Sequence, residues 1–340
     1  MHKNFIKHIT VLLIIFSNYS FGKEFNELFT IYTPFENSNN INTSINKSFN
    51  NMVYRVSGSK SPSNIWKIIN SGSKRKDFIN SYSIKNFNKK SYLEVKFNRY
   101  AVIDKFKELS IPIIGDSRPV ILFLIKIESG SQTPYYLSGD SNNTIDKYLI
   151  DTLDEVSNER GIFLELPTFD LEDKSFLSNS SILLNSEEYL ISKYQFDQHT
   201  SIKLTNLGIN KWAFNGDIEG VVDGEKYFED IKKMFVGHLE SLIEESLKDL
   251  ISKTSTNFYI DISIEGIESY KDYLVAKEKL SKIASITSLD ILNFKNNVIK
   301  YKVEVMGSSN TLINNLETNT FFEVLVYEPS KSVKLVLKND

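Results

Sequence analysis

The residues best suited to chemistry in this chain form one short block, Gly115-Asp116-Ser117. A serine hydroxyl becomes a nucleophile when an imidazole takes its proton and a carboxylate orients that imidazole. The block supplies a serine and an acid, so the base must come from elsewhere. Of 4 histidines, His2 and His8 stand in the first few residues, which leaves His199 and His238. His238 falls inside a long helical pattern, where a packed or solvated residue is the ordinary role. Arg118-Pro119 and an apolar run follow Ser117, which favours a tight loop capped by Asp116 over a hydrolase site.

Other chemistries fare less well. With 0 cysteines and two distant histidines, a metal site would need carboxylates. Asp170, Glu172 and Asp173 cluster, but acids at a helix start are what the helix dipole favours. Asp217 and Glu219 flank a hairpin, where such acids are usually solvated. Ser57-Gly58-Ser59-Lys60-Ser61 lacks the spacing of a phosphate-binding loop. No metal and no cofactor is expected.

Composition narrows partners and compartment. The 340 residues carry a net charge of −3, so nothing global calls for nucleic acid. The basic residues Lys74, Arg75, Lys76, Lys85, Lys89, Lys90, Lys96 and Arg99 face only Asp77 and Glu94 in their stretch. That is either an ordinary solvated face or one meeting an envelope protein or anionic envelope surface. Lys3 and Lys7 precede the apolar run Ile9 to Phe16, followed by small residues at Ser20 and Gly22. This is the pattern of a secretory signal over residues 1–22, cleaved before Lys23. Its apolar core is too short to span a bilayer, so no membrane span is expected after cleavage. Lack of cysteine rules out a lipid-modified N-terminus and disulfides, so packing alone must hold the exported chain together.

The elements that position the block follow from periodicity. Val120 to Ile127 is apolar but for Lys126, as suits a central strand covered on both faces. Ile41, Ile45, Phe49 and Met52 space an amphipathic helix leading into Val53 to Gly58. Tyr92 to Phe97 alternates as a strand, and Tyr100 to Leu109 reads as a helix. Between them, Phe78 to Phe87 is less regular. After the central strand, the helix Ile145 to Arg160, stopped by Gly161, and the strand Ile162 to Leu166 make a βαβ unit with parallel pairing. Strands at Ser201 to Thr205, Lys211 to Phe214 and Ile218 to Val222 precede a long helix, about Gly224 to Ile251. From Phe258 onward the order is strand, helix, hairpin across Asn296-Asn297, helix, strand. That is the ferredoxin-like βαββαβ arrangement. Val333 to Leu337 is expected to add a strand at an edge. The fold class is therefore α/β, or α+β overall. A mixed-sheet α/β domain covers 24–253, and a ferredoxin-like domain covers 256–338.

Several motifs in order resemble one family. They are Arg55-Val-Ser-Gly58 ending a first helix, Tyr82-Ser83, Ile111-Pro-Ile-Ile-Gly115 with Ser117-Arg118-Pro119, Leu166 to Asp173, and Ile262-Ser-Ile-Glu-Gly266. Together they are similar to an uncharacterised proteobacterial envelope family known as domain of unknown function 2066. One departure is Tyr194 to His199, where that family tends to carry a small turn. The resemblance implies an envelope compartment and no catalytic residues. Gly115-Asp116-Ser117 is also similar to the nucleophile block of the GDSL hydrolases, in which the serine opens a helix instead of a strand. The expectation is an exported, non-catalytic binding or scaffold protein. A small-ligand sensor, or a hydrolase using the Gly115–Pro119 loop, is the alternative. Arg55, Gly58, Gly115, Asp116, Arg118, Asp170 and Asp173 are the structural or interaction candidates. Gly58 and Gly115 are expected in tight turns. A buried Arg118 would need a carboxylate, with Asp116, Asp170 or Asp173 in reach.

Overall fold

The computed structural model describes residues 23–35, 41–87, 90–130, 133–178, 186–248, 250–251, 257–283, 285–306, 309–317, 319, 321–328 and 331–338. The expected signal segment lies outside them. The fold is α/β, with three units following one another along the chain.

In the first unit, β2 (Thr30–Pro34) and β3 (Ile79–Phe87) flank β4 (Lys90–Phe97) in an antiparallel sheet. The helices α1 (Ile41–Ser57), α2 (Pro62–Asn70) and α3 (Arg99–Glu108) pack on it. α1 buries Ile45, Phe49, Met52, Val53 and Val56, one stripe at helical spacing, against Leu93, Val95 and Phe97. The stretch that reads as irregular is the edge strand β3. Residues 81–86 are exposed, so no buried face imposes an alternation there.

The second unit is built on β6 (Val120–Glu128), eight of whose nine residues, all but Glu128, are apolar or lysine and seven buried. β6 pairs parallel with β8 (Phe163–Glu165) and β9 (Gln198–Gly208), and antiparallel with the short β7 (Tyr135–Tyr136). β10 (Lys211–Gly216) and β11 (Gly220–Asp223) extend the sheet beyond β9. Ile121, Phe123, Ile125 and Ile127 pack under α4 (Thr144–Arg160) and α7 (Tyr227–Lys248). Leu122 and Leu124 face Leu190 of α6 (Ser186–Lys193), which with α5 (Leu171–Ser178) lies between β8 and β9 in the chain. Covering both faces explains why the strand is apolar at successive positions. Residues 24–253 thus carry two main sheets with separate hydrophobic clusters, besides one two-stranded pair.

In the third unit, β12 (Asn257–Glu265), α8 (Tyr270–Ser281) and β13 (Ile286–Lys295) form a split βαβ, with β14 (Val298–Met306) inserted between the strands. Asn296 and Asn297 turn the β13–β14 hairpin at φ 53 and 59. After α9 (Ser309–Glu317) come β15 (Phe322–Glu328) and β16 (Ser332–Leu337). Here one expectation is corrected. β16 lies inside the sheet, parallel to β12, and β15 takes the edge. Burial gives the reason: Val333, Leu335 and Leu337 all face the core, whereas Leu325 and Val326 are half exposed.

Candidate functional site

The Gly115 block links all three units. Its entry, Ile111 to Ile114, is anchored by Ile111, Ile113 and Ile114, which are buried, and the Ile114 amide donates to the Val56 carbonyl at 2.8 Å. Ser117–Arg118 is a short strand, β5, antiparallel to β1 (Lys23–Glu24). The Phe25 amide closes that pairing on the Asp116 carbonyl at 2.8 Å. On its far side the block meets α9. A Cβ on Gly115 would lie 2.6 Å from Asn315 Oδ1. Gly115 is therefore needed for close approach and not for a left-handed turn, since it is absent from the positive-φ glycines.

Between the first and third units this contact leaves a cleft of about 280 Å³. Arg99, Asp116 and Ser117 line one side, and Lys279, Lys282, Asn315 and Asn319 the other. Arg99 is held at the start of α3, where the Asn98 side chain caps the helix by accepting from the Ala101 amide. Its guanidinium grips Asp116 with two bonds, 3.0 and 2.7 Å, and lies over the Phe29 ring. Lys279 and Lys282 come from the end of α8, Lys279 over the Phe321 ring and Lys282 paired with Glu278. The Asn315 side-chain nitrogen is buried and has no partner among the described residues.

Behind the cleft, three arginines replace the expected carboxylate pairing. Arg118 is 0% exposed. It donates from Nε to Gly115 O at 2.9 Å and from Nη2 to Arg55 O at 3.0 Å and Ile114 O at 3.4 Å. Asp116 is turned to Arg99, and Asp170 and Asp173 are turned to Lys193, so none of the expected acids bonds Arg118. Arg55 donates to Glu27 O and Thr30 O, and also to Asn158 O. Arg160 donates to Gly58 O at 2.8 Å and to the Glu240 carboxylate. Three of these acceptors, the carbonyls of Arg55, Gly58 and Asn158, sit at the ends of α1 and α4. The last carbonyls of a helix lack internal partners and carry partial negative charge, so they can serve a guanidinium in place of an acid. Burial pushes Arg118 down to about 9, further lowered by Arg55 and Arg160, although Asp116 raises it. Burial likewise brings Arg55 down to about 10, against the pull of Glu27 and Glu159. Two glycines admit the cluster. Gly58 ends α1 at φ +73 under Ile114, and Gly161 ends α4 at φ +59 against the Arg55 side chain.

The remaining candidates are engaged elsewhere. Asp170 and Asp173 form a reciprocal cap at the start of α5, each accepting from the other's amide at 2.8 and 2.9 Å. Burial would raise Asp173, but hydrogen bonds from Lys193, Tyr189 and the Asp170 amide outweigh it and hold it at about 2. Among the described residues no group of three or more His, Asp or Glu could hold a metal ion. His238 Nε2 lies 2.9 Å from Thr200 Oγ1, which donates to Asp217, and His199 packs on Phe196. Neither histidine lines the cleft, so among the described residues Ser117 has no imidazole there. In the basic stretch, Lys85 and Lys96 pair with Glu94, Lys90 with Asp151 and Arg99 with Asp116. That shrinks any free cationic face. Among the described residues no helix is long and apolar enough to cross a membrane.

No family model, curated protein or solved structure matches the chain. Sequence reasoning missed Arg160, Lys279, Lys282 and Asn315, and read Arg99 only as part of a basic stretch. Arg160 carried a readable signal, a basic residue directly before a helix-stopping glycine. Asn315 carried none.

Proposed function

We propose that the chain is an exported, non-catalytic binding or scaffold protein of the cell envelope, which takes its partner in the cleft between the first and third units. The observation that carries the reading is the cleft's lining. Asp116 and Arg99 already neutralise each other, and the opposite wall carries Lys279, Lys282, Asn315 and Asn319, side chains able to donate hydrogen bonds. Such a surface recognises and positions more readily than it performs acid–base chemistry. Export rests on the N-terminal pattern of residues 1–22. A small-ligand sensor is the second reading, favoured by the volume of about 280 Å³, close to the lower end of small-molecule sites.

The test places a photo-crosslinking residue at Asn26, on the exposed rim of the cleft, and irradiates whole cells. We expect one defined adduct, lost on Lys279→Glu together with Lys282→Glu. No adduct, or one indifferent to the charge reversal, counts against the cleft as the binding surface. The mature N-terminus, sequenced from an envelope extract, is expected to begin at Lys23.

A further inference from the structure

β13 is an edge of the third sheet, so its free side has no neighbouring strand among the described residues. Long exposed apolar edges are templates for pairing. From Asp290 to Lys295 every residue of β13 is exposed, including Ile291 at 51%, Leu292 at 50% and Phe294 at 57%.

The register with β14 sorts these side chains into faces. Ile291 pairs with Tyr301 and Phe294 with Ile299, both buried, so both belong to the helix-covered face. Asp290 pairs with Lys302 and Lys295 with Val298, on the open face. In a regular strand, residues three apart point to opposite faces. Here they share one because the register slips between Ile291 and Asn293.

We infer that this edge pairs with the same edge of a second copy of the chain, antiparallel about a two-fold axis. Asp290 then stands opposite the second copy's Lys295, and Ile291 opposite its Phe294. Each contact occurs twice, giving two ion pairs on the open face and two aliphatic–aromatic pairs on the other. The slip makes this register self-consistent, because without it the opposed residues would lie on opposite faces. The apolar pairs continue the row of Ile299 and Tyr301 across the seam. The other edge behaves differently. The same self-pairing of β15 would set Glu323 against Glu328, like charge against like. Pairing at β13 alone closes at two copies and does not propagate.

The experiment is sedimentation velocity of the mature chain over a concentration range of about a hundredfold, since a two-copy equilibrium follows protomer concentration. The wild type is expected to move from one to two chains. Asp290→Lys alone sets Lys against Lys, and Lys295→Asp alone sets Asp against Asp. Each is expected to weaken association roughly tenfold or more, and the double swap to restore it. Phe294→Ser is expected to leave a monomer. All three substituted positions are exposed, and far-UV circular dichroism checks that each of the four variants is folded. A wild type that stays monomeric, assemblies that grow without limit, single variants that dimerise normally, or a double swap without recovery would each overturn the inference. None of these readings depends on the cleft.

Discussion

Replacing Arg118 by lysine is expected to harm the protein more than replacing it by methionine. Burial takes the guanidinium from its ordinary 12.5 to about 9. At about 1.4 kcal/mol per unit, that is roughly 5 kcal/mol for burial together with repulsion from Arg55 and Arg160, net of the attraction to Asp116. Against it stand the two shorter carbonyl bonds, at 2.9 and 3.0 Å, worth about 1.5 to 3 kcal/mol each. The two sides nearly balance. Methionine removes the buried charge and leaves two carbonyls short of a donor, so the expected loss is within about 2 kcal/mol. Lysine keeps a more strongly hydrated charge and cannot span both carbonyls, so the expected loss is about 3 to 5 kcal/mol. Urea unfolding can be followed by fluorescence, because Trp212 is buried in the second unit and Trp66 is 60% exposed. Lysine tolerated better than methionine would refute the reasoning, since the site would then require charge itself and not the fork of donors.

Other expectations are smaller in scope. Gly58→Ala should cost about 1 to 3 kcal/mol, because its Cβ would fall 2.1 Å from Ile114 Cδ1 at φ +73. Gly72→Ala, with nothing within 4 Å at φ +86, is the milder control, and thermal melts of the pair separate crowding from backbone strain. Asp173 is held at about 2 when folded, whereas the unfolded chain takes up the proton near about 3.9. The unfolded state therefore binds protons first as pH falls. The wild type should lose stability between about pH 4 and pH 2, a slope that Asp173→Asn reduces in acid titration followed by circular dichroism, the other lowered carboxylates keeping the remainder. Burial lowers His238, so its protonation below about pH 6.5 should destabilise the fold, and His238→Gln should flatten stability there. Tyr301 is buried with a hydroxyl that has no partner among the described residues. Tyr301→Phe should be neutral or raise the melting temperature.

The architecture was legible wherever burial writes a pattern. The run Val120 to Ile127, the stripe of α1 and the Asn296-Asn297 turn all state their structure locally. β3 was not legible, because an exposed edge leaves no periodic signature. The place of β16 was not legible either. Its alternation marks a half-buried strand but does not name its neighbours, and both β15 and β16 carry enough apolar residues for either position. At the site, the loop around Gly115 stands out by its own composition. Its partners do not, since Arg99, Lys279 and Asn315 are brought together by packing between units. The carboxylate expected for Arg118 failed for a related reason. Charge counting looks for acids, whereas Arg118 found backbone carbonyls, two in the loop at Ile114 and Gly115 and one at the end of α1.

The arginine cluster also sets an order of events. Arg55 binds Asn158, and Arg160 binds Gly58, across 103 and 102 residues of chain. Neither link can close until α4 has been made and folded, long after α1 has appeared. Contacts of that span are slow to find and close late. The first unit must therefore wait for the second before the end of α1 is secured. The end of α1 is expected to lock in a late, non-local step, one that contacts within the first unit cannot replace.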